Sequence, residues 1–244
     1  MIDIIITNYN RETLITKAIN SIFNQSYQDI HLIIVDDCST DNSVKVIEDL
    51  LEHNTSKVKC TFVKNKENKG AGFSRGLGLK FLEGRYMTFL DSDDYVSIDY
   101  YRTLINNIQE NDSDIAMGNM VLEYDDGRRE IYNLFDTKHL NLAGEDCLEQ
   151  YFEQEGLSFD WHIIWNKIYK MEIWKKALKH YKNITTHLLM TEDFAFSTVL
   201  FYYARRLTKV SNDCVFYCKH ETTSTSIKDL TFKKFNNTIE LTSI

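Results

Sequence analysis

The sequence contains no proline among its 244 residues, although proline averages about 5% of protein residues. Its turns must therefore be built from Gly, Asn, Asp and Ser. Long apolar runs are also missing, since none approaches the roughly 20 residues that a membrane-spanning helix needs. The apolar start at 2–6 is short, is interrupted by Asp3 and follows no basic region, which is typical of a buried strand and not of a signal peptide.

Paired cysteines and an excess of basic residues are absent as well. The cysteines show neither a disulfide framework nor the C-x-x-C spacing of a zinc site. They are odd in number and scattered, at Cys38, Cys60, Cys147, Cys214 and Cys218. We therefore expect a reduced, cytoplasmic setting, which is compatible with association at the inner face of the membrane. The formal net charge of −8 repels a phosphate backbone, so nucleic acid is not an expected partner.

Apolar runs alternate with helical patterns along the first half of the chain. The predicted strands lie at 2–6, 31–35, 58–63, 86–90 and 115–122. This alternation predicts an α/β fold whose mostly parallel sheet carries helices on both faces. Helical patterns dominate after about residue 135, including 161–178 and 194–203, and one apolar stretch at 207–217 interrupts them. We interpret 1–244 as a single domain, with a ligand-binding half at 1–120 and a more variable, helix-rich half at 121–244.

Polar residues follow three of the predicted strands. They are Thr7-Asn8, Asp36-Asp37 and the Asp-Ser-Asp-Asp segment at 91–94. Ligands of parallel α/β sheets bind beyond the carboxyl ends of the strands, so these side chains predict a ligand site at one edge of the sheet.

Asp91-Ser92-Asp93 places two carboxylates one residue apart in a turn. Such a pair is able to hold Mg²⁺ or Mn²⁺ against a diphosphate, because hard cations take oxygen ligands and keep positions for phosphate. The tripeptide is weak evidence alone, since the chain contains a second copy, Asp112-Ser113-Asp114. The first copy ends an apolar run and the second precedes one. We therefore predict a site at Asp91 to Asp93 and a solvated turn at the second copy.

Two further segments suit a nucleotide. Asp36 and Asp37 are able to accept hydrogen bonds from a base or a ribose, while Ser39 or Asp41 is suited to capping the next helix. The loop from Asn68 to Arg75 places Gly70, a second glycine and two cations at a helix start, which favours close approach to phosphate or ribose.

Two features of the second half are candidate functional groups, one acidic pair and one of its histidines. Glu192-Asp193 precedes an apolar helix and is able to supply a general base, although helix capping explains the same pattern and is favoured by the sequence alone. His220 is a metal ligand or a surface histidine, and the sequence alone favours the surface.

Taken in order, these motifs resemble the family-two glycosyltransferases of the GT-A fold. The resemblance is dense over about the first 120 residues and thinner afterwards, at 165–169, at 192–194 and around 220–226. The dense part consists of the segments 25–43, 68–70, 74–75, 78–79 and 89–94.

The resemblance implies an inverting transferase that uses a nucleoside diphosphate sugar, most often a UDP-sugar, and a glycan or polymer acceptor. On this reading 1–120 is the nucleotide-sugar-binding half and 121–244 the acceptor-binding half. It implies that Asp36 or Asp37 contacts the base and that Asp91 and Ser92 face the ribose or donor sugar. The other residues that it places around the nucleotide are Thr7, Asn8, Tyr9, Asn68, Gly70 and Arg75.

The resemblance also assigns the chemistry. Asp93 would hold Mn²⁺ or Mg²⁺, with His220 completing the metal or diphosphate site. Asp193 matches the catalytic base, which reverses the preference for capping. Two positions depart from the family pattern: Thr7 stands where proline is usual, and Cys38 stands where glycine is usual.

Two other functions remain as alternatives. A sugar-1-phosphate nucleotidyltransferase normally carries a glycine-rich loop after the first strand, whereas this chain has 7–11 without glycine. A catalytically degenerate glycan-binding module fits less well, because Asp93 and Asp193 are both present. The polar end of the chain at 232–244 is compatible with a further C-terminal domain, and a homo-oligomer is equally compatible with the sequence.

Overall fold

The computed structural model describes residues 1–132, 141–143, 162–181 and 192–219. The strands are β1 (Ile2–Asn8), β2 (Ile30–Asp36), β3 (Lys59–Lys64), β4 (Tyr86–Asp91), β5 (Tyr95–Val96), β6 (Ile115–Tyr124), β7 (Arg129–Tyr132), β8 (Asn141–Ala143), β9 (Lys167–Lys170) and β10 (Arg206–Lys219). The helices are α1 (Ile15–Phe23), α2 (Ser43–Glu52), α3 (Ala71–Gly78) with a 3₁₀ turn at Leu79–Phe81, α4 (Tyr100–Asn111), α5 (Met171–Tyr181) and α6 (Glu192–Tyr203).

One sheet joins these strands in the order β3-β2-β1-β4-β9-β6-β10-β5, with β7 on β6 and β8 on β10. Strands β1 to β4 are parallel, β9 is antiparallel to both of its neighbours, and β6 is parallel to β10. The strands β1, β2, β3, β4, β6 and β10 therefore point the same way, which confirms the predicted α/β fold with a mostly parallel sheet.

The central strands are buried on both faces. Every residue of β2 is buried, as is every residue of β1 except Thr7. Right-handed crossovers place α1 and α2 on one face and α3 on the other, since the chain moves outward from β1 to β3 and then returns to β4. Branched residues suit such doubly covered strands, which explains the isoleucine-rich run at the start of the chain.

The structure corrects the prediction in one segment. The pattern at 161–178 indicated one helix, but Lys167–Lys170 forms β9 and only Met171–Tyr181 is helical. Strand β9 fills the space between β4 and β6, where Tyr169 pairs with both Met87 and Ile115. A four-residue strand is too short to show a period of two, and its conformation is decided by these distant neighbours. No helix in the described ranges is long and apolar enough to cross a membrane.

Candidate functional site

The three predicted strand ends meet at one edge of the sheet. Asn8 pairs with Asp36 across β1 and β2, and Thr7 pairs with Asp91 across β1 and β4. The register of the parallel strands therefore brings four sequence-predicted residues side by side.

Asp36 is buried and holds the turn that follows β2. Its carboxylate accepts hydrogen bonds from Asn8 Nδ2 at 2.9 Å, from the Ser39 main-chain N–H at 2.9 Å and from Ser39 Oγ at 2.6 Å. Asn8 Oδ1 is buried and has no hydrogen-bond partner within the described part of the chain. Buried polar atoms are normally paired, so this acceptor is a candidate contact for a ligand donor.

Asp37 organises the loop that carries Asn68 and Gly70. It accepts hydrogen bonds from Asn65 Nδ2 at 2.7 Å, from the Lys69 N–H at 3.0 Å and from the Gly70 N–H at 2.6 Å. Gly70 has a φ of 86°, which a residue with a side chain rarely adopts. The loop is therefore held against β2 by a buried carboxylate, and Asn68 remains exposed at its surface.

Cys38 adopts a φ of 64°. This is the left-handed region, which costs a non-glycine residue about 1–2 kcal/mol. Cys38 therefore keeps a backbone conformation that suits the glycine usual at this position, and its side chain adds steric strain.

Tyr9 follows β1 at the same edge and is 43% exposed. The loop behind it is fixed to the start of α2, because Asn10 Oδ1 accepts a hydrogen bond from the Thr40 N–H at 2.8 Å and Ser43 Oγ accepts one from the Arg11 N–H at 2.9 Å. An exposed aromatic ring on a fixed loop is suited to stacking on a flat ligand.

Arg75 connects β4 to α6. Its Nη2 donates to Asp91 Oδ1 at 2.8 Å, and its Nη1 donates to Asp193 Oδ1 at 2.9 Å. The Arg75 side chain is 6% exposed, and its guanidinium carbon lies 5.9 Å from the centroid of the Phe89 ring. The predicted base, in the first turn of α6, is therefore brought to the acidic end of β4 by an ion pair. Helix capping alone does not require such a contact.

The acidic turn after β4 presents three different environments. Ser92 is buried, and Asp93 Oδ2 lies 3.4 Å from Arg11 Nε. Asp94 is fully buried; its Oδ1 accepts a hydrogen bond from the Cys218 N–H at 2.8 Å. Burial, together with the carboxylates of Asp93 and Asp91, raises the pKa of Asp94 well above its usual value. Asp94 is thus a structural anchor between this turn and β10.

A cluster around Glu123 supports the chain directly after this turn. Glu123 on β6 pairs with Lys17 of α1 at 2.9 Å and with Arg129 of β7 at 2.9 Å. Tyr95 of β5 stacks on Phe216 of β10, with the ring centroids 4.3 Å apart. Although burial acts to raise it, hydrogen bonds from Lys17, Arg129 and Tyr95 lower the pKa of Glu123 to about 2. The cluster therefore joins five elements next to the acidic turn.

The second Asp-Ser-Asp copy lies elsewhere. Asp112 has a φ of 48° after α4, its side chain is 92% exposed, and it pairs with Lys170 at 2.7 Å. Asp114 Oδ2 accepts a hydrogen bond from the Arg205 N–H at 2.8 Å. This copy precedes β6 and therefore lies at the edge of the sheet opposite to Asp91.

A complete metal cage is not visible in the described ranges. No group of three or more His, Cys, Asp and Glu side chains there is arranged to hold a metal ion. His220, the predicted partner of Asp93, lies outside the described residues.

Sequence reasoning missed the partners of the predicted residues. Asn65 binds Asp37, and Arg11 pairs with Asp93; neither position is marked by a motif. The only sequence signal for Arg11 is its position just after β1, because the end of that strand was already predicted to meet the acidic turn.

Comparison with known proteins gives a consistent result. The family model described as "Glycosyl transferase family 2" matches residues 3–200. The chain is 32% identical over 178 residues to glycosyltransferase GlyA of Streptococcus pneumoniae, covering 72% of this chain and 25% of GlyA. It is 40% identical over 95 residues to the Escherichia coli UDP-Glc:alpha-D-GlcNAc-diphosphoundecaprenol beta-1,3-glucosyltransferase WfaP, covering 39% of this chain and 36% of WfaP.

The fold is shared with a solved structure. TarS 1–349 of S. aureus in complex with UDP-GlcNAc superposes with a TM-score of 0.71 at 24% identity, covering 91% of this chain and 59% of that one. Of the two relatives compared by sequence, the chain spans about a quarter of the length of GlyA and about a third of the length of WfaP.

Proposed function

The chain belongs to glycosyl transferase family 2, and from this membership and the site geometry we propose that it transfers a sugar from a nucleoside diphosphate carrier to an acceptor hydroxyl. The observation that carries the proposal is the bridge from Asp91 through Arg75 to Asp193. The bridge joins Asp91, which is expected to face the ribose or donor sugar, to Asp193, which is expected to activate the acceptor hydroxyl. The acceptor is a glycan or a cell-surface polymer.

We propose UDP as the nucleotide. The names of WfaP and of the TarS complex record UDP-Glc and UDP-GlcNAc for those proteins. In this chain, Tyr9 provides an exposed ring and Asn8 a buried acceptor without a partner in the described residues. Asp36 and Asp37 already accept several hydrogen bonds from within the chain. Part of their role in base recognition is therefore to hold the loop after β2 and the loop that carries Gly70 around the base.

The residues present fit a divalent cation. Asp91 and Asp93 are carboxylates at the end of a buried strand, and their side chains are 27% and 18% exposed. Mg²⁺ is commonly bound through one or two carboxylates together with substrate phosphates, without a cage made only of protein ligands. Asp93 and His220 would hold Mn²⁺ or Mg²⁺, which would offset the negative charge of the leaving diphosphate.

Asp193 is proposed as the general base. Its carboxylate removes the proton of the acceptor hydroxyl while that oxygen attacks the anomeric carbon from the face opposite to the diphosphate. A single displacement of this kind inverts the anomeric configuration. Arg75 fixes the carboxylate in this position, and preorganisation of this kind lowers the barrier because the group needs no reorientation during reaction.

A thermal-shift screen tests the proposal. The protein is heated with UDP-glucose, UDP-N-acetylglucosamine, GDP-mannose or CDP, each with and without Mn²⁺. Because a ligand that binds only the folded state raises the melting temperature, UDP-sugars with Mn²⁺ should give the largest rise. A larger rise with GDP-mannose or CDP would overturn the donor assignment. The hit is then tested for sugar release and for transfer, which separates a transferase from a glycan-binding module and from a nucleotidyltransferase.

A further inference from the structure

A concave surface that includes none of the candidate-site residues lies between α1 and α2. It has a volume of about 780 Å³ and includes residues of both helices and of the loops that precede β2 and β3. These loops are at the amino ends of the strands, whereas Asp91 and Asp193 are at the carboxyl edge. Strand β2 has seven residues, and at about 3.3 Å per residue the two sites are about 20 Å apart along the sheet. We call this surface the α1–α2 groove.

The floor of the groove is apolar. Phe23 of α1, and Val46 and Leu50 of α2, line it and pack against the hydrophobic core while remaining partly exposed. On α2 the lining residues recur at helical spacing, so one face of the helix is turned towards α1.

The rim of the groove is polar. Its side chains at Gln25, Gln28, Asn54 and Ser56 are held by hydrogen bonds within the chain, whereas those of other rim residues are open to a ligand. Asn20, Asp49 and Thr55 are exposed, and no hydrogen bond to their side chains occurs in the parts of the chain that the structure describes. Asn24 and His53 each use one nitrogen, to the main-chain oxygens of Asn20 and Asp49 at 2.9 Å and 2.8 Å. The rim therefore offers both donors and acceptors to a ligand.

The charge of the groove selects the class of ligand. Among the described residues that line it there is one carboxylate, that of Asp49, and no lysine or arginine. A phosphate, a nucleotide or an anionic polymer would meet a negative charge without a compensating cation. A docked amphipathic helix would need a continuous apolar stripe, whereas the described lining has three apolar residues among amides, hydroxyls, an imidazole and a carboxylate.

From this combination we propose that the α1–α2 groove binds a segment of a neutral oligosaccharide. Carbohydrate rings carry apolar C–H faces that fit the floor at Phe23, and their hydroxyls are able both to donate to Asp49 and to accept from Asn20. Ligand sites commonly combine an apolar lining with a few polar groups that fix orientation. The groove holds glycan at a distance from the site of transfer, and its binding does not depend on the proposed function.

Titration of ¹⁵N-labelled protein with chitohexaose and with cellohexaose tests this inference. We expect saturable NMR shifts at the side-chain amides of Asn20 and Asn24 and along the ends of α1 and α2. The amide of Asn65 at the carboxyl edge should not move, and added UDP should not compete. An absence of shifts with both sugars, or shifts confined to the carboxyl edge, overturns the proposal.

Matched variants sharpen the test. The double variant Asn20→Ala/Asp49→Ala should bind the sugar at least tenfold more weakly, because each lost hydrogen bond costs about fivefold in affinity. Glu52→Ala, an exposed change on α2 that does not line the groove, should bind like the wild type. Equal sugar affinity of the wild type, the double variant and Glu52→Ala overturns the proposal. It is also overturned if analytical ultracentrifugation shows that the NMR shifts at the groove arise from self-association of the protein. Sugar binding without any nucleotide binding would contradict the proposed function and leave this inference standing.

Discussion

Arg75 and Asp193, 118 positions apart in the chain, form an ion pair with 2.9 Å between Nη1 and Oδ1. The same guanidinium group donates to Asp91 through Nη2. The two carboxylates come from β4 and α6, so this single side chain fixes the distance between the acidic turn and the first turn of α6. A planar guanidinium is suited to this because its N–H groups point in fixed directions, whereas an ammonium group is a point charge.

Arg75→Lys is therefore expected to lower turnover more than it lowers UDP affinity. The lysine is unable to bond both carboxylates with the same geometry, so Asp193 loses its fixed orientation. Arg75→Gln should also destabilise the fold by about 3 kcal/mol, since it leaves partly buried carboxylates without their cation. Steady-state kinetics, calorimetric UDP titration and urea unfolding measure the three effects. Arg85→Lys, an exposed change, is the control; a loss confined to UDP affinity would contradict the positioning role of Arg75.

Asp193→Asn is expected to reduce transfer by about 10²–10⁴-fold, the usual effect of losing a general base. Asparagine preserves size and is able to accept a hydrogen bond from Arg75, so UDP binding should survive. Glu192→Gln, at the first position of α6, should cost less. Near-normal transfer by Asp193→Asn together with an inactive Glu192→Gln would reverse the two roles. Unfolding of Asp193→Asn would show that the residue is structural.

Asp93→Ala is expected to abolish the Mn²⁺ dependence of UDP binding, because it removes the carboxylate proposed to hold the cation. Asp112→Ala is the matched control: it occupies the first position of the other Asp-Ser-Asp copy, on an exposed turn at the opposite edge of the sheet. Calorimetric titration of UDP with and without Mn²⁺ measures the difference. Equal losses from the two substitutions would contradict the assignment of the site to the first copy.

The parts of the fold that the sequence predicted are those with a strong local signal. Strands β1 and β2 are mostly apolar runs that end in polar residues, so both the strands and the site edge were predictable. Strand β9 was not, because four residues acquire their conformation from pairing with β4 and β6. The contact of Arg75 with Asp193 was equally inaccessible, since it depends on how α6 packs against the sheet and leaves no spacing in the sequence.

Cys38→Gly is expected to stabilise the protein by about 0.5–1 kcal/mol. The residue has a φ of 64°, where glycine avoids the steric cost of a side chain of about 1–2 kcal/mol but loses more backbone entropy on folding. The midpoint of urea unfolding measures the change, and Cys60→Gly, in β3, should be destabilising. Lower stability of Cys38→Gly would show that contacts of the thiol outweigh the strain.

Acid should destabilise the protein partly through Glu123. Its pKa in the folded state is about 2, below its ordinary value of 4.5. A depressed pKa contributes stability that is fully present above the ordinary value and is lost as pH falls towards the folded value. The stability supplied by the Glu123 cluster should therefore disappear between about pH 4.5 and pH 2.

Urea midpoints measured across this range should fall less steeply for Glu123→Gln than for the wild type, because glutamine does not titrate. The variant should nevertheless be less stable than the wild type at pH 7. Glu110→Gln, an exposed change on α4, should keep the wild-type slope. The outcome that would contradict this prediction is a Glu123→Gln midpoint that falls with pH as steeply as that of the wild type. The acid sensitivity would then arise from other carboxylates, and the Glu123 cluster would not stabilise the chain next to the acidic turn.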